Sequence, residues 1–120
     1  MVLVDTSVWV EHFQGKGSTL AGLLNETLVL VHPFVLGELA CGNLRNRALI
    51  LQDLGALSGA LIATHEETLK LVEDCKLWGS GIGWIDAHLL ASALLSHCEL
   101  WTLDLRLKQA AAGAGVKRFA

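Results

Sequence analysis

The chain has 120 residues, of which 52% are hydrophobic and 18% charged, and its formal net charge at pH 7 is −3. This length predicts one domain, residues 1–120, whose core needs no disulfide or structural metal. The longest stretches without a charged residue, 54–65 and 87–98, are too short to span a bilayer. A negative net charge also argues weakly against a nucleic-acid binder, although net charge misrepresents the local potential where several carboxylates converge on a divalent cation.

Cellular location is predicted from the start of the chain and from the cysteines. Met1 leads directly into an apolar strand without a basic leader segment, and the three cysteines include no Cys-x-x-Cys pair. We expect a cytoplasmic protein with free thiols and no membrane association.

The predicted elements alternate between short apolar strands and helices. Thr6 and Ser7 offer cap chemistry for the first helix, Pro33 suits a first helical turn, and Thr64 with Glu67 forms a capping box. The predicted strands are 2–4, 27–31, 60–63, 99–102 and 116–119. The predicted helices are 6–13, 18–26, 34–41, 46–57, 65–78, 84–96 and 105–112.

This alternation predicts an α/β fold with a parallel sheet covered by helices on both faces. Such sheets bind ligands beyond the carboxyl ends of their strands. Asp5 and Asp104 both stand at that position, directly after predicted strands.

Two further acids lie in apolar helical sequence. Glu38 and Asp86 have no basic residue one turn away, whereas most other helical acids have one. A carboxylate in such a setting is costly unless it is paired or bound to a metal. Asp53 has equally apolar neighbours, so this criterion alone selects too many residues.

The pattern of acids resembles the PIN-domain nucleases, and among them the VapC-type toxins of toxin–antitoxin pairs. The resemblance covers essentially the whole chain. Four motifs occur in the correct order and spacing, which makes the signal strong. The matching segments are Val4-Asp5-Thr6-Ser7, Glu38-Leu39, Asp86-Ala87 and Thr102-Leu103-Asp104, followed by Leu105-Arg106-Leu107.

The resemblance implies a PIN-like three-layer α/β/α fold with a central parallel sheet of about five strands. It also implies an Mg²⁺-dependent endoribonuclease, in which Mn²⁺ can substitute and one or two ions bind. Asp5 and Asp104 would be principal ligands and Asp86 a ligand or second-metal site. Glu38 would bind through a water or orient the attacking water. The implied partners are an RNA substrate, a cognate antitoxin and a second copy of the chain.

Supporting residues are expected near these acids. Thr6, Ser7 and Thr102 can hydrogen-bond the carboxylates or a phosphate, although Thr6 and Ser7 serve equally well as helix caps. Arg45 and Arg106 follow segments that carry the acids and are expected to contact RNA phosphates.

Other features favour structural roles. We interpret the glycine loop 79–83 as a flexible connection, Trp84 and Trp101 as core residues, and the five histidines as ordinary partly buried side chains.

Three alternative functions remain. A metal-dependent adhesion domain would require a serine where Trp9 stands, and a receiver domain would require an acidic pair and a late lysine that the sequence does not place. A non-catalytic PIN-fold module that binds RNA or protein is disfavoured because all four acids are present.

Overall fold

The computed structural model describes residues 1–120. Its central sheet contains three parallel strands: β1 (Val2–Val4), β2 (Val29–Leu30) and β3 (Glu99–Trp101). The strand order is β2-β1-β3, and Val2 of β1 lies opposite Val29 on one side and Glu99 on the other. β1 is therefore the central strand.

Seven helices connect and cover these strands. Their bounds agree with the predicted helices to within two residues, except at the end of the fifth. They are α1 (Thr6–Phe13), α2 (Thr19–Asn25), α3 (Pro33–Cys41), α4 (Arg47–Gly55), α5 (His65–Asp74), α6 (Trp84–Leu95) and α7 (Leu105–Gly113). No helix is both long enough and apolar enough to cross a membrane.

The central strand is buried on both of its faces. All three residues of β1 are at most 4% exposed, and successive side chains of a strand point to opposite faces. Helices therefore cover the sheet on both sides, which confirms the expected three-layer α/β/α architecture. Helix α6 is buried from Ala87 to Ala93 and packs against β3 and α5.

The predicted count of about five strands is wrong, because the two outer segments pair through one residue each. Val31 forms a single parallel bridge with Gly59, and Leu100 forms one with Arg118. Beyond the first bridge the chain leaves the sheet, and Leu61 and Ile62 are each 60% exposed. Their apolar sequence predicted a strand, but these side chains lie on the surface.

The fifth helix is also shorter than predicted. Its capping box is present, with reciprocal hydrogen bonds between Thr64 and Glu67. The helix ends at Asp74 rather than near Trp78, because Lys76 adopts a left-handed backbone with φ of 54°.

The strand order defines where a ligand site is expected. The chain passes from β1 to β2 on one side and returns to β3 on the other, so the connections diverge between β1 and β3. A crevice forms at such a switch point, beyond the carboxyl ends of the strands. Asp5 follows β1 there, and Thr102 and Asp104 follow β3.

Candidate active site

Asp5 is held by hydrogen bonds to both of its carboxylate oxygens. Its backbone N–H donates to the carbonyl of Trp101 (2.9 Å), which continues the pairing of β1 with β3. Its Oδ1 accepts from the N–H of Thr6 (2.8 Å), so Asp5 itself caps α1. Its Oδ2 accepts from the hydroxyls of Ser7 (2.9 Å) and Thr102 (2.7 Å). Asp5 is only 7% exposed, and its position is fixed from three sides.

This arrangement decides between the two roles considered for the hydroxyl residues. Thr6 and Ser7 do not cap α1 with their side chains; they donate to carboxylates instead. Thr102 is buried and does the same. The hydroxyls therefore belong to the acid network.

Asp104 is connected to Asp5 through Thr102. The Oγ1 of Thr102 donates to Asp5 and accepts from the backbone N–H of Asp104 (3.1 Å). The Oδ1 of Asp104 accepts from the N–H groups of Arg106 (2.8 Å) and Leu107 (3.3 Å), so Asp104 caps α7. Two of the predicted acids thus occupy equivalent places, each after a strand and at the start of a helix.

Glu38 is brought to the same region by α3. The hydroxyl of Thr6 donates to Glu38 Oε1 at 2.8 Å, which connects α3 to the start of α1. His32 sets the start of α3, because its Nδ1 accepts from the N–H of Phe34 (2.9 Å). This cap was missed in the sequence; a histidine directly before Pro33 was its only signal.

Asp86 lies in the first turn of α6, where its Oδ2 accepts from the N–H of Gly83 (3.2 Å). Burial raises the pKa of Asp86, and the hydrogen bond from Gly83 opposes that change. The carboxylates of Asp5, Asp104 and Glu38 raise the pKa further. All three charges therefore act on Asp86, and the structure brings the four acids into one electrostatic neighbourhood.

None of these four acids has a basic partner. The two ion pairs of the structure join Lys70 to Asp74 and Lys117 to Glu99, outside this group. Asp53 also stands apart, because it lines a surface depression beside the second half of α1. No Lys or Arg side chain forms an ion pair with any of the four acids, so the group carries concentrated negative charge.

The side chains are not arranged as a finished metal site. No three His, Cys, Asp or Glu side chains are placed together as ligands of one ion. Asp86 and Asp104 each accept backbone N–H groups near the start of their own helices. Binding of one ion by several of these acids would therefore require rotation of side chains.

The structure agrees with the predictions for some of the remaining residues and not for others. Arg106 follows Asp104 in the first turn of α7, and its side chain lies against Gly81. Arg45 lines a depression with Phe13 and Gln14, at the end of α1 opposite Asp5, so the structure does not bring it to the carboxylates. Trp101 is half-buried, in agreement with a core role, but Trp84 is 40% exposed.

A model of the PIN domain matches residues 2–113 of the chain. The chain belongs to the PIN-domain family. Ribonuclease VapC32 of Mycobacterium tuberculosis, from strains CDC 1551 and H37Rv, is 45% identical over 117 residues, which cover 97% of this chain and 94% of the relative. This PIN domain is therefore of the VapC type.

Solved structures agree on the fold of this PIN domain. FitAcB from Neisseria gonorrhoeae superposes with a TM-score of 0.69 and 17% identity, over 100% of this chain and 97% of the other. FitAB bound to an IR36 DNA fragment superposes with a TM-score of 0.67 and 16% identity, over 99% of this chain and 94% of the other. At this identity the similarity shows the architecture alone.

Proposed function

We propose that this PIN domain, spanning residues 1–120, is a divalent-metal-dependent endoribonuclease that acts as the toxin of a toxin–antitoxin pair and inhibits translation and growth. One observation carries the proposal: four carboxylates from four separate segments share one region without a basic partner. The 45% identity to a protein named a ribonuclease supports RNA as the substrate.

The four acids fit a bound Mg²⁺ on chemical grounds. All the side-chain donors are carboxylate oxygens, which hard divalent cations prefer, and Mn²⁺ accepts the same set. Their uncompensated charge also favours a cation. Asp5 and Asp104 would be principal ligands, Asp86 a further ligand, and Glu38 a ligand through water. One or two ions suit this donor set.

A bound Mg²⁺ would make hydroxide available near neutral pH and offset negative charge on the phosphate. The chain's own residues hold the catalytic carboxylates in place. Asp5 is fixed by Thr6, Ser7 and Thr102, so its carboxylate needs no reorganisation before the reaction. Glu38, steadied by Thr6, orients the attacking water and accepts its proton. The water oxygen forms a bond to phosphorus as the phosphorus–ribose oxygen bond breaks, and the leaving oxygen takes a proton from solvent.

A cognate antitoxin would bind beside these acids. An open groove of about 600 Å³ is lined by apolar side chains, including the exposed Phe34 and Trp84, and it reaches Glu38. An apolar helix would cover such a groove, and a basic side chain from an extended tail would enter the acidic region. The chain would also form a homodimer, which would cover other exposed apolar residues such as Leu61, Ile62 and Trp78.

Cleavage of a labelled single-stranded RNA tests the proposed function. The purified protein is expected to cut the RNA with Mg²⁺ or Mn²⁺ and to stop when EDTA is added. Asp5→Asn is expected to abolish cleavage, whereas Asp53→Asn, which removes an acid outside the group, is the matched control and should remain active. RNA binding without cleavage under every metal condition would indicate a non-catalytic PIN module and contradict the proposal.

A further inference from the structure

The side chain of Arg106 lies across the glycine loop 79–83. A Cβ atom at Gly81 would stand 2.7 Å from Arg106 Cδ and 3.1 Å from both Nε and Nη1. These distances are shorter than ordinary van der Waals contacts, so the space that a side chain would fill at Gly81 is taken by Arg106. The loop and the arginine therefore fit each other.

Gly81 has a backbone reason to be glycine and is also the glycine that the side chain of Arg106 contacts. Its φ of +89° is a left-handed backbone that other residues rarely adopt. Gly79, in the same loop, also has positive φ (+73°), but a Cβ there would meet no atom within 4 Å. The two glycines share the backbone requirement, and only Gly81 provides space for the arginine.

The guanidinium group of Arg106 is not used by the protein itself. It forms no ion pair, its side chain makes no hydrogen bond, and the residue is exposed. Its backbone N–H is bonded to Asp104, so the residue starts beside one of the four acids. Its side chain then extends to the loop that leads, two residues beyond Gly81, to Gly83, whose N–H is bonded to Asp86. The arginine side chain thus spans from the start of α7 to the glycine loop that precedes α6.

An unpaired guanidinium at this point has a chemical use. A polyanion that approaches four carboxylates is repelled, and a cation near the group offsets that repulsion. The planar fork of arginine matches two phosphate oxygens at once. An arginine seated against a backbone is also pre-organised, so less conformational entropy is lost when the phosphate binds.

We propose that Gly81 is a positioning residue that seats Arg106, and that the seated guanidinium binds a backbone phosphate of single-stranded RNA next to the cleaved bond. This proposal rests on the proposed ribonuclease function and deepens it. Arg106 touches the substrate, whereas Gly81 acts only through Arg106.

The salt dependence of RNA binding tests the proposal directly. The probe is a labelled single-stranded oligoribonucleotide of mixed sequence, bound with Ca²⁺ in place of Mg²⁺. Loss of one phosphate contact reduces the slope of log K against log [salt] by about 0.7. Arg106→Ala is expected to show this smaller slope and about tenfold weaker binding. Arg106→Lys should keep the slope, because the charge remains, while binding stays weaker than in the wild type.

Variants of the glycine loop separate displacement of the Arg106 side chain from the effect of backbone strain. Gly81→Ala displaces the guanidinium but keeps its charge, so it is expected to weaken RNA binding as Arg106→Lys does, whereas Gly79→Ala, which introduces the same kind of backbone strain, should leave the affinity unchanged. In a protein that already carries Arg106→Ala, Gly81→Ala should have no further effect on the affinity for RNA. Thermal unfolding followed by circular dichroism shows which variants are folded.

Several results would overturn the proposal. An unchanged salt slope in Arg106→Ala would exclude the phosphate contact, and this test stands even if Gly81→Ala does not fold. Equal RNA affinities in Gly81→Ala and Gly79→Ala would exclude the seating role. Failure of the ribonuclease function would look different, since the wild-type protein would then not cleave RNA with Mg²⁺.

Discussion

The hydroxyl of Thr102 donates a 2.7 Å hydrogen bond to the carboxylate of Asp5, across 97 positions of the sequence. The same oxygen accepts from the backbone N–H of Asp104. One buried hydroxyl therefore sets the position of two acids that follow neighbouring parallel strands. The geometry of the acid group depends on contacts between distant segments as much as on the acids themselves.

Thr102→Val tests this connection with little change in side-chain shape. The variant leaves Asp5 Oδ2 with one partner fewer and the N–H of Asp104 without its acceptor. We expect a loss of about 1 to 3 kcal/mol in the free energy of unfolding and cleavage slowed by about tenfold, because Asp5 is less firmly held. Urea denaturation and cleavage rates measure both effects.

Two matched variants control for this substitution. Thr102→Ser keeps the hydroxyl and is expected to recover most of the activity. Thr19→Val makes the same change at an exposed threonine without a side-chain hydrogen bond and should be neutral. Full activity in Thr102→Val would show that Asp5 does not need this contact.

Asp5→Ala separates activity from folding. The variant removes the cap of α1, which costs about 1 kcal/mol, but it also relieves repulsion among the carboxylates. We expect a folded protein that neither cleaves RNA nor arrests growth when expressed in a bacterial host. Circular dichroism checks the fold and growth curves check toxicity. Growth arrest equal to that of the wild type would exclude an essential role for this acid.

Asp86→Asn is expected to stabilise the metal-free protein at neutral pH. The raised pKa of Asp86 means that its charge is disfavoured in the folded state. Stability is therefore lost as the pH rises from the ordinary value of 3.8 through the folded pKa. In EDTA at pH 7 the variant should melt at a higher temperature than the wild type, and below pH 3.8 the difference should vanish.

Added Mg²⁺ should reverse this difference, so that the wild type melts at a higher temperature than Asp86→Asn. A ligand that binds only the folded state stabilises it by RT ln(1 + [L]/Kd), so at a given concentration the tighter binder raises the melting temperature more. The wild type is expected to gain more from Mg²⁺ than Asp86→Asn, because the variant has lost a proposed ligand. An equal gain in both proteins would mean that Asp86 does not bind the ion.

His32 is expected to make the stability of the folded protein decrease in acid. Burial, and then the neighbouring His88, lower the pKa of His32 to about 4 from 6.5. The unfolded chain therefore binds more protons between these values, and stability falls as the pH decreases from 6.5 to 4. The difference amounts to roughly 3 kcal/mol, at 1.36 kcal/mol for each pKa unit.

His32→Asn tests this source of acid sensitivity. Asparagine keeps an acceptor for the N–H of Phe34 but does not titrate, so the variant should be less stable overall and show a flatter dependence on pH between 6.5 and 4. His97→Asn, at an exposed histidine with a left-handed backbone that asparagine tolerates, is the control. An unchanged pH profile in His32→Asn would assign the acid sensitivity to other groups.

Local sequence patterns predicted the helices and the central strands well. The capping box at Thr64 and the apolar run of α6 depend on residues within one or two turns, and both are present. The outer strands were predicted from apolar runs, yet Leu61 and Ile62 lie on the surface. Whether such a run joins a sheet depends on which segments lie beside it, and composition does not contain that information.

Local sequence also predicted only part of the acid group. Asp5 and Asp104 were predictable from their positions after parallel strands, since those ends meet at one edge. Asp53 resembles Asp86 in its apolar sequence context, and only the fold separates them, because α4 lies beside the second half of α1. The sequence predicted hydroxyl partners for the carboxylates, but not that Thr102 would reach Asp5, because that contact depends on strand pairing.

Anomalous diffraction from a crystal soaked in Mn²⁺ tests the central proposal most directly. We predict a manganese peak bounded by carboxylate oxygens of Asp5 and Asp104, with Asp86 and Glu38 turned towards it from their helices. An absent peak at saturating Mn²⁺, with the four carboxylates still directed to their separate hydrogen-bond partners, would contradict the proposed metal-dependent active site.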